Sequence, residues 1–188
     1  MIASSPRLIF EAMETRHAPH FYALNNDPQV MQYFPSTLDH AATDAFIARV
    51  MAHRAAHGFG LETVFLADTG AFAGFIGLLT ADFAAPFTPA VEIGWRLMPQ
   101  VWGRGLAPEG ARAALAFGFG ELGLEEIVSF TAKSNIASIR VMQKIGMHHR
   151  PEDDFDHPAL AAGDRLRRHV LYRMRAADFE NFSHINET

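Results

Sequence analysis

The sequence predicts an α/β (α+β) fold, a sheet covered by helices, and three observations carry that expectation. Short runs of apolar residues recur at period two, as in Val91, Ile93, Trp95 and Leu97. Between them lie stretches of helical period, the clearest being Leu38, Ala42, Ala45, Phe46 and Val50. In the second half of the chain the two kinds of segment alternate, which is the pattern of a sheet with helices packed on it. At 188 residues the chain is long enough to bury a full core in one domain. The expected core spans about residues 7–175, and a polar tail 176–188 follows.

Taken in order, Arg7 to Phe10 predicts a first strand and Ala18 to Asn25 a helix, closed by the turn Asn25-Asn26-Asp27-Pro28. The aromatic segment V-M-Q-Y-F-P ends at Pro35; Tyr33 and Phe34 are either core residues or the wall of a substrate pocket. Leu38 to His57 predicts a helix, with Thr37 or Ser36 as its cap and Gly58 and Gly60 as its end. Leu61 to Ala67 and Phe72 to Leu79 predict a hairpin turning at Asp68-Thr69-Gly70. Ile127 to Thr131, Met147 to Arg150 and His169 to Met174 predict further strands, and Asn135 to Ile145 a helix capped by Asn135. The tail after Asp178 is polar and expected to fray.

The stretch from Val91 to Phe119 is read as strand, glycine loop and helix. Pro99 stops the strand, Gly103 and Gly105 bracket Arg104, and Pro108 suits the first turn of the helix that follows. The first amides of a helix lack partners and carry the positive end of its dipole. Glycines ahead of them let a bulky anion approach, so the segment suits a phosphate or pyrophosphate; a plain strand-to-helix turn is the alternative.

Composition narrows the field. The net charge is −5, which argues against a dedicated nucleic-acid partner. There is no cysteine, hence no disulfide, thiolate metal site or cysteine nucleophile. No apolar run approaches the roughly 18 residues of a membrane span, and the N-terminus lacks the pattern of a signal peptide. A cytoplasmic location is the simplest expectation.

Several motifs fall away. Gly118, Gly120 and Gly123 form a G-x-G-x-x-G that follows a helix instead of opening one, and no P-loop pattern occurs. His53 and His57 are four apart, but no glutamate follows the first, so no metal is expected. Glu92 interrupts an apolar strand. It is either in an ion pair with an arginine such as Arg96 or placed as a general base beside the loop. Ser138 lies one turn into the helix that Asn135 caps.

Together, V-E-I-G-W-R-L-M-P-Q-V-W-G-R-G-L-A and, about thirty residues on, N-x-x-S-I-R-V-M-Q-K-I-G-M strongly resemble the GNAT acetyltransferase superfamily, and within it the RimJ/RimL-like branch. The likeness extends from Arg7 to about Tyr172, and the early D-P-x-V-M-Q-Y-F shares in it. The resemblance implies a mixed, curved, mostly antiparallel sheet with helices on both faces, and two central parallel strands that splay to admit acetyl-CoA. It implies acetyl-CoA as co-substrate, its diphosphate on the main chain of Val101, Trp102, Gly103, Arg104, Gly105, Leu106 and Ala107. Its pantetheine arm would pair with Leu97 and Met98 and with Asn135. Glu92 would act as general base, through water because an ordinary carboxylate is a weak base toward an ammonium, and Ser138 would serve the departing sulfur.

Three positions depart from the family pattern. Met142 stands where a tyrosine acid is frequent, Gly110 where alanine is usual, and Met147 where phenylalanine is usual. In the tail, Asp156 beside His157 either orients an imidazole base, binds a polar substrate, or belongs to a structured loop with exposed charges, and Tyr172 is a candidate phenol near the sulfur. The expected activity is N-acetylation of a small-molecule amine or a peptide N-terminus by a monomer or homodimer. The rival is a non-catalytic acyl-CoA-binding module.

Overall fold

The computed structural model describes residues 1–186, with side chains described through residue 182; Glu187 and Thr188, the end of the expected tail, lie outside the described residues. Eight strands and five helices follow in the order β1 (Leu8–Ala12), α1 (Ala18–Asn26), α2 (His40–His57), β2 (Leu61–Leu66), β3 (Phe72–Ala81), β4 (Ala90–Leu97), α3 (Leu106–Ala116), β5 (Glu126–Ala132), α4 (Ile136–Lys144), β6 (His148–His149), β7 (Phe155–Asp156), β8 (Arg168–Arg175) and α5 (Ala176–Asn186). The strands hydrogen-bond in the order β1-β2-β3-β4-β5-β8-β6, with β7 also on β8. β1–β2, β2–β3, β5–β8, β6–β8 and β7–β8 are antiparallel. β4 and β5 are parallel and share one ladder position, Glu92 opposite Val128. The mixed, mostly antiparallel sheet is thus as expected.

Local chemistry sets the element ends. The β2–β3 turn closes with Gly70 donating its amide to the Leu66 carbonyl, at a φ of 68°. Asp39, rather than Thr37 or Ser36, caps α2: its carboxylate accepts the Ala42 amide at 2.8 Å. The helix starts later than the apolar stripe suggests because the Leu38 amide is already bonded to the Asn25 carbonyl. Gly58, at φ 79°, ends it.

The described chain divides into two compact units. The first holds Met1–Leu79 and Gly94–Ala114. Its core packs Phe21, Leu24, Phe46, Ile47, Val50 and Phe75 beneath α1 and α2. The second holds Thr80–Ile93 and the chain from Leu115 onward. Its apolar centre is Val128, Phe155 and Leu171, joined by Phe83, Phe87 and Phe130. In this unit the expected polar tail is the helix α5. Phe179 packs on Phe119 with centroids 5.3 Å apart, and the Phe182 ring lies against Gly146. Two phenylalanines three residues apart on one helical face anchor a segment that is otherwise polar. β7 was also not anticipated; two residues carry no periodicity. No helix among the described residues is long and apolar enough to cross a membrane.

Gly110, expected only to weaken α3, has a packing role. A Cβ there would run into Ile76 and come within 3.0 Å of Leu8 and 3.3 Å of Phe10. Leu8 and Ile76 are fully buried, so these side chains have little room to yield. Overpacking costs about 1–3 kcal/mol, more than the roughly 1 kcal/mol that alanine gains in helix propensity. Gly110→Ala is therefore expected to destabilise the protein by about 1–2 kcal/mol in urea unfolding; a stabilised variant would show that the core relaxes around the methyl.

Candidate active site

Within the first unit, the loop between β4 and α3 is built to expose main-chain donors. After a tight turn over Pro99–Val101, the chain passes through Gly103 at φ 72° and Gly105 at φ 76°. These left-handed conformations favour glycine. A Cβ on Gly103 would meet nothing within 4 Å, so the glycine serves backbone conformation and access rather than packing. The amides of Val101 and Trp102 return to Met98 and Pro99, whereas those of Gly103, Arg104, Gly105, Leu106 and Ala107 donate to no partner among the described residues. Five open donors at the positive end of a helix fit a diphosphate.

The loop is held from behind. Arg7 donates through Nη1 to the Arg104 carbonyl at 2.9 Å and through Nε to Glu109 at 2.6 Å. Glu109 also accepts the Ser5 hydroxyl and the Arg7 amide. Burial pushes the Glu109 carboxyl up, but these bonds outweigh it and hold it below its usual range. At the loop's start the Trp102 indole, 41% exposed, donates to the Leu97 carbonyl at 2.8 Å. The Met98 amide bonds to Ala73 and its carbonyl accepts from Val101. Three of the four polar main-chain groups of Leu97 and Met98 are thus engaged within the chain, so the strand end expected to pair with a pantetheine arm is largely satisfied from within. Tyr33 is half-buried, and Phe34 lies on the Arg96 guanidinium, 4.1 Å from ring centroid to Cζ.

The second unit carries Glu92, Asn135, Ser138 and His157. Glu92 is half-buried and has no hydrogen bond or ion pair among the described residues. Burial pushes its carboxyl up to about 8, with no donor to counter it. The ion pair considered for it is absent from Arg96's side as well, since that guanidinium donates to Asn25 at 2.6 Å. The Asn135 side chain is committed to the start of α4. Its oxygen accepts the Ser138 amide at 3.2 Å, and its nitrogen donates to Thr131 at 2.9 Å and to the Ser138 hydroxyl at 3.1 Å. The cap expected of Asn135 is therefore present. Ser138 Oγ accepts, so its own proton remains available.

His157 packs among Phe83, Phe130 and Phe155, and its ring centre is 5.1 Å from that of His169. Burial lowers the pKa of both imidazoles and keeps them neutral at pH 7. Asp156 does not orient His157. It pairs with Arg167 at 3.1 Å and Arg168 at 3.5 Å, while His157 Nδ1 accepts the Ala159 amide. The Tyr172 hydroxyl accepts from Gln143 at 3.4 Å, and its ring stacks on His149. His53 meets the Phe59 carbonyl at 3.0 Å and stacks on His57.

The family model described as an acetyltransferase (GNAT) domain matches residues 7–148. The chain belongs to the GNAT acetyltransferase family. Among its relatives, the Bacillus subtilis protein YkkB is 33% identical over 144 residues, 76% of this chain and 83% of that one. The N-acetyltransferase YnaD of the same organism is 30% identical over 148 residues, 78% of this chain and 82% of that one. A GNAT-family acetyltransferase from Bacillus anthracis superposes with a TM-score of 0.75 at 25% identity, covering 94% of this chain and 99% of its own. A Vibrio cholerae spermidine N-acetyltransferase solved with CoA and spermine, and the ribosomal L7/L12 acetyltransferase RimL solved with CoA, share the fold at 18% identity and a TM-score of 0.74 each. They cover 94% and 93% of this acetyltransferase and 100% and 97% of their own chains.

Two residues escaped the sequence reading. Arg7 contributes through tertiary contact alone, which leaves no local signature. Arg96 was considered only as a partner for Glu92, yet it raises the same question, a charge inside an apolar strand.

Two outcomes follow for this acetyltransferase. Arg7→Ala frees both the loop carbonyl and Glu109, and is expected to weaken acetyl-CoA binding by about three- to tenfold in calorimetry, the worth of one or two hydrogen bonds. A raised Glu92 pKa means that the folded protein keeps a proton the unfolded chain releases above the ordinary carboxylate value of 4.5. Stability should then fall as pH rises from about 4.5 to about 8. Glu92→Gln should match the wild type near pH 4.5 and exceed it at pH 8.5 by about 4 kcal/mol in denaturant unfolding. Parallel stability curves across that range would show that the carboxyl is not desolvated.

Proposed function

We propose that this chain is an acetyl-CoA-dependent N-acetyltransferase of the RimJ/RimL-like kind. Its acceptor is a primary amine, on a small molecule or at a peptide N-terminus. The observation that carries the reading is Glu92, a carboxyl without a counter-charge whose pKa of about 8 suits proton abstraction from an ammonium. An ordinary carboxylate would be mismatched to that task by several units; burial removes much of the mismatch. The names of relatives and neighbours support the class. Two structural neighbours are named for spermidine and for ribosomal L7/L12, and a 62-residue stretch is 44% identical to the Aspergillus fumigatus FsC-acetyl coenzyme A-N(2)-transacetylase, covering 33% of this chain and 26% of that one.

Acetyl-CoA supplies an acetyl group activated as a thioester. The open amides from Gly103 to Ala107 hold its diphosphate. Glu92 takes one proton from the acceptor ammonium, directly or through a water. The freed amine forms the C–N bond as the C–S bond breaks, and its second proton is lost to the sulfur. Ser138 donates toward that sulfur with the hydroxyl proton that Asn135 leaves unengaged. The products are the amide, the thiol, and the proton held by Glu92 and then released to solvent. Asn135 acts by holding Ser138 and the start of α4, with its side chain retained in the cap.

Glu92→Gln is expected to lower kcat/KM by about 10²–10⁴, with acetyl-CoA affinity within twofold of wild type. In the wild type kcat/KM should rise with pH to a plateau through an inflection near 8. Ser138→Ala should cost about tenfold in kcat, the scale of one hydrogen bond to a developing charge. CoA release from acetyl-CoA across a panel of amines and peptides measures all three. Full turnover by Glu92→Gln would remove the base assignment, and absence of acetyl-CoA binding would remove the reading altogether.

A further inference from the structure

Arg96, in the first unit, is a half-buried cation that the proposed chemistry does not use. Its guanidinium sits among three phenyl rings, 4.1 Å from the centroid of Phe34, 5.2 Å from Phe75 and 5.8 Å from Phe46. Its one hydrogen bond among the described residues is from Nη1 to the neutral oxygen of Asn25, at 2.6 Å. Asn25 is fully buried and is itself held by Thr43. Arg96 Nε is buried without a partner, and no carboxylate pairs with the guanidinium among the described residues. Burial lowers the group's pKa to about 10, so it remains a cation at physiological pH.

Such an arrangement is incomplete. Buried charges are ordinarily paired, because an unpaired one forfeits its hydration. Stacking on phenyl rings returns about 0.5–2 kcal/mol, and one neutral acceptor returns little more. A planar carboxylate is the complement of a guanidinium edge, since it accepts two parallel hydrogen bonds. A phosphate dianion would ask for more than the single cation found here and for fewer phenyl walls. The cover over the guanidinium is Phe34, itself 40% exposed, so the cation lies under a side chain at the surface rather than deep in the core. Arg96 also follows Glu92 by four residues in β4, at the same parity of the strand.

We infer that Arg96, positioned by Asn25 and covered by Phe34, is a carboxylate-binding site, and that the acceptor amine of this enzyme carries a carboxylate. The second half of the statement rests on the acetyl-transfer reading above; the first half stands on the Arg96 surroundings alone. The acceptor class then becomes amino acids and short peptide acids, distinct from polyamines, which carry no anion for Arg96 to receive.

Matched pairs of acceptors test it. Each amine is offered to the full-length enzyme as the free acid and as the carboxamide, for example a series of ω-amino acids and dipeptides. The acid of the best pair should show kcat/KM at least tenfold above its amide, expressed in KM. Arg96→Met should abolish that preference, leaving kcat on the amide within about threefold of wild type. Because Arg96→Met alters a buried site, Phe34→Ala provides a second variant at an exposed position, expected to weaken the acid preference several-fold without loss of folding. A readout independent of turnover is binding of N-acetylglycine, which has a carboxylate but no acetylatable amine. It should raise the melting temperature of wild type, while N-acetylglycinamide should not, and Arg96→Met should not respond. Equal kcat/KM for acids and amides, with no response to N-acetylglycine, overturns the inference and leaves acetyl transfer standing. A response to N-acetylglycine through Arg96 without turnover of any amine keeps the site and overturns the acetyl-transfer reading.

Discussion

The passage from β4 into α3 constrains what this chain can bind. Pro99 ends the strand, and α3 begins at Leu106, so the backbone must turn within a few residues. It does so through two glycines at positive φ, and the outcome is five consecutive amides without partners among the described residues. Unpartnered amides are costly when buried and are stable only toward solvent or an anion. Gly103 makes that approach possible because no atom lies where a side chain would project. The rest of the first unit supports this loop. Glu109, from the first turn of α3, gathers Ser5 and Arg7 at the start of β1, and Arg7 reaches on to the loop carbonyl of Arg104. One acidic residue therefore ties helix, strand and loop together, and it sits at the helix end where negative charge is favourable.

β4 carries a second constraint. Glu92 and Arg96 have opposite charges and lie on one strand, the usual recipe for a cross-neutralised pair. Neither charge is neutralised by an ion pair among the described residues. Glu92 responds by retaining its proton to about pH 8, and Arg96 by leaning on aromatic faces and a neutral amide. Each solution is less stable than an ion pair would be, and the proposed base and the proposed anion site draw on these two unpaired groups. The Arg54–Glu62 pair in the first unit is the contrast. There Glu62 is 1% exposed, but Arg54 lies against one of its carboxylate oxygens and supplies the opposite charge from within the fold.

Elements with strong periodicity were legible in the sequence nearly to the residue: the β2–β3 hairpin, β4, β5, and α4 with its Asn135 cap. The order of elements from β1 to β6 and the two-glycine loop were legible too, because proline and glycine act on their own backbone. What was missed depends on distant partners. The start of α2 is displaced by a bond from Leu38 to Asn25, thirteen residues back. The helix α5 forms where Phe179 and Phe182 find Phe119 and Gly146, so a composition that reads as polar tail is held by two rings. The same holds at the site. Glu92 stood out as a charge in an apolar strand, but whether it was paired depended on what Arg96 preferred, and the competing acceptor was Asn25. Asp156 and His157 looked like a couple because they are adjacent, whereas Arg167 and Arg168, across a loop, hold the carboxylate.

The fold does not select the acceptor. Structures of a spermidine acetyltransferase and of RimL, named for a polycation and a protein, superpose equally well on this chain. Specificity must therefore reside in side chains that the fold tolerates but does not require. A polycation calls for open carboxylates, and several acids here are already spoken for: Glu109 by Arg7, Asp153 and Glu126 by Arg173, Asp154 by His149, and Asp156 by Arg167. On the first unit, Arg96 is instead a cation with no opposite charge against it among the described residues. The second unit, taken by itself, offers phenyl rings and two neutral imidazoles near β5. Neither set of surroundings is what a polycation calls for.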